Sequence, residues 1–169
     1  MREQNELLRK NARAPFRQLL KAVVKHPAML VWLDADSNRK GHPNENLARE
    51  LMEIFTIGIG NFSERDVQEA ARSLTGWTVV EGKFRFRQAR HDDSTKTIFG
   101  NQDSFSGDDF LSLLGDQPAT AKRIAWRLCH TFMGESVVSE RALAELADGL
   151  RDNDLDIRWG VKTILRSQL

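Results

Sequence analysis

The 169-residue sequence contains one cysteine, no tyrosine, four prolines and eleven glycines. A lone Cys129 has no partner within the chain, which excludes a disulfide framework. So little glycine and proline beside 40% hydrophobic residues excludes collagen-like and disordered compositions. No run approaches the roughly 20 consecutive apolar residues that a membrane-crossing helix needs, and the patch at 28–33 is only long enough for a core segment. Charge of one sign is also missing. The formal net charge is +1, from 25 basic and 24 acidic residues, without the basic excess by which a general nucleic-acid binder grips phosphates. Residues 1–10 are polar and lack the apolar centre of a secretory signal. No repeat recurs at solenoid periods.

What remains is helical patterning over one domain's length, enough to bury about 70% of the unfolded surface. Pro15 opens an amphipathic stretch through Phe16, Leu19, Leu20, Val23 and Val24, which His26-Pro27 ends. A short helix over 28–33 follows, then a loop over 34–43 rich in Asp, Asn, Ser, Gly and Pro. The clearest helix runs from an Asn44 N-cap over 45–57 and stops at Gly58, with Leu47, Ala48, Leu51, Ile54 and Phe55 on one face. Ser63-Glu64-Arg65-Asp66 reads as a capping box, with Asp in place of the usual Glu. It opens a helix with the apolar stripe Val67, Ala70, Ala71 and Leu74.

The period changes after Gly76. Residues 77–80 and 83–87 flank Glu81-Gly82 and predict a β-hairpin, whereas 88–103 reads as a polar irregular loop. Helices are predicted over 107–114, 119–133, 139–151 and 156–166. The expected fold class is mainly α, a multi-helix domain with one inserted β-hairpin at about 77–87. The chain stops at Leu169, directly after the last helical pattern, and is expected to be a piece of a longer protein.

Residues 42–62, from His42-Pro43-Asn44-Glu45-Asn46 through Gly58-Ile59-Gly60-Asn61-Phe62, form one long motif with the segment from Asp66 through Thr75-Gly76-Trp77. Together they resemble a large bacterial family catalogued as domain of unknown function 1800. The run His91-Asp92-Asp93-Ser94-Thr95-Lys96-Thr97-Ile98-Phe99-Gly100 resembles its next block, and 118–132 and 156–167 resemble its later helices. The resemblance implies a longer parent protein and, for many members, export to the periplasm or cell envelope. It implies no reaction. His42 departs from the pattern, standing where small residues are commoner.

The most chemical-looking set is Glu50 and Glu53 on the central helix with His91 and Asp92, followed by Asp93, after the hairpin. Carboxylates with imidazole are the donor set for a divalent metal, and Glu50 and His91 are the candidate acid and base. Glu50 and Glu53, three residues apart on a helix, have side chains that can converge. Two solvated features compete with this reading: an i, i+4 ladder of Glu45, Arg49 and Glu53, and a plain turn at 91–93. A structural version has Glu50, Glu69, Arg72 and His91 locking the hairpin to the helices, with Arg49 or Arg72 as cation and Asn44 and Trp77 in the same framework. Cys129 reads as a small core residue.

Arg123, Arg127 and His130 beside Trp126 have the elements of a single-strand site, against which the near-neutral charge weighs. On a helical wheel Trp159 falls opposite Ile157, Val161, Ile164 and Leu165, which predicts burial against a partner or the remainder of its own chain. The leading functional expectation is a structural or interaction module of the cell envelope. The alternative is a metal-assisted hydrolase using Glu50, Glu53, His91 and Asp92.

Overall fold

The computed structural model describes residues 2–134 and 138–167; Leu169, and with it the expected truncation, lies outside them. Their order is α1 (Arg2–Asn11), α2 (Phe16–Val24), α3 (Pro27–Trp32), α4 (Asn46–Glu50), α5 (Glu64–Ser73), β1 (Trp77–Val80), β2 (Lys83–Phe86), β3 (Lys96–Ile98), β4 (Asn101–Asp103), α6 (Gly107–Asp116), α7 (Pro118–Met133), α8 (Glu140–Asp152) and α9 (Ile157–Arg166). The class is mainly α, as the periodicity predicts, and the hairpin pairs Trp77 with Phe86 through Val80 with Lys83. No described helix is long and apolar enough to cross a membrane.

The clearest predicted helix differs from expectation at both ends. Glu45 occupies its N-cap, and the Asn44 side chain instead accepts a hydrogen bond from Asn46 N at 3.0 Å. From Leu51 to Phe55 the backbone winds as a π-helix, closed by Thr56 Oγ1 donating to Leu51 O and Gly58 N donating to Met52 O. A π-turn takes more residues per turn than an α-turn. The 100° wheel therefore fails here: Met52 turns into the core, while Ile54 turns out and is 47% exposed.

The segment 88–103, expected to be irregular, contains a second hairpin. β3 and β4 pair Lys96 with Asp103, Thr97 with Gln102 and Ile98 with Asn101 around a Phe99-Gly100 turn with positive φ at both residues. The polar N-terminal segment forms α1, a helix with no strong apolar periodicity to predict it.

Two cores hold the chain. The larger is built by α2–α6 and the first hairpin, around Leu47, Leu51, Met52, Leu74, Trp77, Phe110 and Leu114. The smaller lies among α7, α8 and α9, around Ile124, Cys129, Leu146, Leu150 and Leu155. Phe16 packs against both. Its amide donates to Leu155 O at 2.9 Å, and the next residue, Arg17, pairs with Asp116 at 2.7 Å and Asp154 at 2.8 Å.

The buried face of α9 is shifted from that predicted: Ile164 is buried as expected, but Leu165 is exposed and Trp159 turns toward the core. Gly160 and Ile164 are buried and the Trp159 ring covers Gly149 of α8, so this chain itself takes up the side of Trp159. A Cβ on Gly160 would stand 2.9 Å from Leu128 and 3.1 Å from Leu150. A side chain at this position would press on both leucines.

Candidate functional site

The candidate site is the seam between α5 and the segment after the first hairpin. The Ser63–Asp66 capping box starts α5, and its two hydrogen bonds are both present. Its helical spacing then presents Asp66, Glu69 and Arg72 along one flank, at i, i+3 and i+6. Asp66 Oδ1 accepts from Phe99 N at 2.8 Å, and Glu69 Oε2 accepts from Thr97 N at 3.0 Å. Carboxylates three apart on the helix thus satisfy amides two apart, one on β3 and one in the turn that follows it. They occupy the edge that β4 leaves open, where bare N–H groups would otherwise be a liability.

Arg72 closes the seam. Its Nε donates to Asp92 Oδ2 at 2.8 Å, one terminal nitrogen donates to Glu69 at 2.7 Å, and the other donates to Ser94 Oγ and to Thr95 O at 3.2 Å. Asp92 also accepts from the Ser94 amide and hydroxyl. Burial pushes the Asp92 carboxyl up, but these hydrogen bonds and the Arg72 charge outweigh it and hold it well below the usual carboxylate range. The buried hydroxyl of Thr75 accepts from Asp92 N at 2.7 Å and donates to Arg72 O at 2.7 Å. His91, 6% exposed, has Nδ1 at 2.9 Å from Thr75 O. A carbonyl can only accept, so Nδ1 carries a proton. Lys96, 1% exposed, lies at the floor with its Nζ donating to Ser94 O at 3.0 Å, and burial lowers its amine pKa.

The proposed structural network is therefore partly assembled. Glu69 and Arg72 form it together with Asp92. Arg49 does not join: it makes a bidentate pair with Glu64 at 2.7 and 2.8 Å, with Glu45 and Glu53 beyond 3.5 Å. Asn44 serves the 34–44 loop, donating to Ser37 Oγ and Asp34, while buried Asn38 donates to Ala71 O. Trp77 is in the large core, edge-on to Phe84 at 5.4 Å and under Lys25.

The metal quartet is not brought together. Glu53 faces Arg49, Asp92 is held by Arg72, His91 is held by Thr75, and the half-buried Glu50 side chain makes no hydrogen bond or ion pair among the described residues. Among the described residues no group of three or more His, Cys, Asp or Glu side chains is placed to hold a metal ion. The physical reason is competition: Glu53, Asp92 and His91 each have a nearer partner, which leaves Glu50 alone.

The family described as "Protein of unknown function (DUF1800)" matches residues 1–169. The chain belongs to this family. No curated protein and no solved structure matches it. Membership agrees with the motif at 42–77, and that motif holds both the π-segment and the carboxylate-bearing flank of α5.

Sequence reasoning missed Thr75, Asn38 and Lys96. Only Asn38 had a local signal, in a loop rich in turn formers. The Arg123–Arg127 face is also explained structurally. Both guanidinium groups donate to Ile54 O, at 3.0 to 3.2 Å, and so cap the end of the π-segment. Trp126 stacks on His130 at 5.1 Å. Cys129 is buried, and burial raises its thiol pKa.

Proposed function

We propose that this chain is a non-catalytic structural and interaction module, working in the bacterial cell envelope. One observation supports it above others. The side chains with the most chemistry, Arg72, Asp92, Glu69 and His91, are tied to one another and to backbone, and Lys96 is sealed beneath them. A general base or metal ligand needs a side-chain lone pair directed at open space. A network in which each member is partnered instead fixes one packing arrangement. The envelope placement rests on the resemblance to a family with many exported members.

Metal analysis of the purified protein, with Glu50→Ala and His91→Ala beside it, tests the reading. The expected outcome is no stoichiometric divalent metal, an unchanged melting temperature for Glu50→Ala and a lowered one for His91→Ala. A stoichiometric metal that both variants lose while remaining folded would overturn the module reading in favour of the hydrolase.

A further inference from the structure

Because α9 turns Trp159, Gly160 and Ile164 inward, it leaves a second apolar stripe on its other side: Ile157, Val161 and Leu165, each four residues after the last. Leu165 is 69% exposed. This stripe and Ala12, just beyond α1, floor a groove of about 330 Å³. Four cations rim it: Arg13 on one side, and Arg158, Lys162 and Arg166 running parallel to the apolar stripe. None of the four makes a hydrogen bond or ion pair within the described residues. Among the described residues no acidic side chain lines the groove, so in a chain of net charge +1 this face carries a local cationic excess.

We propose that this groove binds an acidic amphipathic helix of a protein partner. The proposal rests on the module reading and adds the face and the chemistry of what it holds. Apolar residues at i and i+4 on the incoming helix would sit on the floor, and flanking carboxylates would meet the rim. The concave shape favours a rod over a flat lipid surface, which would touch the rim and leave the floor wet. The floor carries no aromatic ring on which a nucleic-acid base would stack. The stripe spans eight residue steps, about 12 Å of helix, so the contact is small and its affinity is expected on the order of 10 μM.

The test is fluorescence anisotropy of the full chain with a labelled 18-residue peptide carrying Leu at i, i+4 spacing and Glu on its flanks. A peptide of the same composition in scrambled order is the control, and vesicles with one quarter phosphatidylglycerol test the lipid alternative. The helical peptide is expected to bind at least tenfold tighter than the scrambled one. Arg158→Glu with Lys162→Glu, and separately Leu165→Asp, should each weaken it at least tenfold with an unchanged circular dichroism spectrum, since all three sites face solvent. Equal binding of the two peptides, binding unaffected by these variants, or capture by vesicles and not by peptide would each refute the proposal. The metal measurement described above judges the module reading separately: silence of the groove leaves it standing, and a stoichiometric metal that Glu50→Ala and His91→Ala both lose while folded sinks it whatever the peptide does.

Discussion

Replacing Arg72 with alanine removes the one cation that spans α5 and the segment from Asp92 to Thr95. Its carboxylate partners Glu69 and Asp92 are only 18% and 14% exposed. Stranding a fully buried charge costs about 3–5 kcal/mol. Here both carboxylates retain other donors, Thr97 N on Glu69 and Ser94 on Asp92, and some water access, so about 2–3 kcal/mol is the expected loss. For a domain of this size that lowers the melting temperature by about 5–10 °C. Thermal and urea unfolding followed by circular dichroism at pH 7 measures it, with Arg49→Ala as comparator. Arg49 makes a geometrically better, bidentate pair, but with a Glu64 side chain that is 70% exposed, and about 0–1 kcal/mol is expected. If Arg72→Ala costs no more than Arg49→Ala, burial does not govern this seam and the reasoning is wrong.

Other outcomes follow from the same contacts. Asp92 titrates below its unfolded value, so its stabilising contribution is complete above about pH 4 and is lost as pH falls toward the folded pKa; the melting-temperature gap between wild type and Arg72→Ala should narrow from pH 4 downward. Gly107→Ala, ordinarily favourable in a helix, should instead cost about 1–3 kcal/mol in urea unfolding, because the new methyl would stand 2.4 Å from the ring of buried Trp77. Cys129 should react with a thiol reagent at pH 7 many times more slowly in the native protein than in urea, since burial both shields the thiol and raises its pKa; equal rates would show that the α7–α9 core opens freely.

Legibility in the sequence followed the kind of force at work. The first hairpin was readable because Glu81-Gly82 separates two alternating runs, and α5 because its capping box and small apolar stripe agree. The second hairpin was not, because β3 and β4 are largely polar and the free edge of β3 is satisfied by Asp66 and Glu69, residues about 30 positions earlier. α1 has only Leu7 and Leu8 for an apolar stripe. On α9 two apolar stripes compete, and a wheel cannot choose between them; the close approach permitted by Gly160 decides. Of the site, helical spacing gave Glu69 and Arg72, while the capture of His91 by Thr75 and of Asp92 by Arg72 depends on tertiary proximity. No hydrogen bond or ion pair joins Glu50 to His91 among the described residues, where Thr75 is the partner of the imidazole.

The junction at Phe16 and Arg17 also sets an order of events during synthesis. Asp154 follows Arg17 by 137 residues, on the order of ten seconds of translation. Over that interval the larger core can close around α2–α6, but the Phe16 ring, which packs against both cores, and the guanidinium beside it await partners not yet made. The α7–α9 hairpins fold from neighbouring segments once they emerge and then dock on a surface already waiting. The nascent chain therefore carries an exposed aromatic edge until α9 arrives, and that edge is where a chaperone would find it.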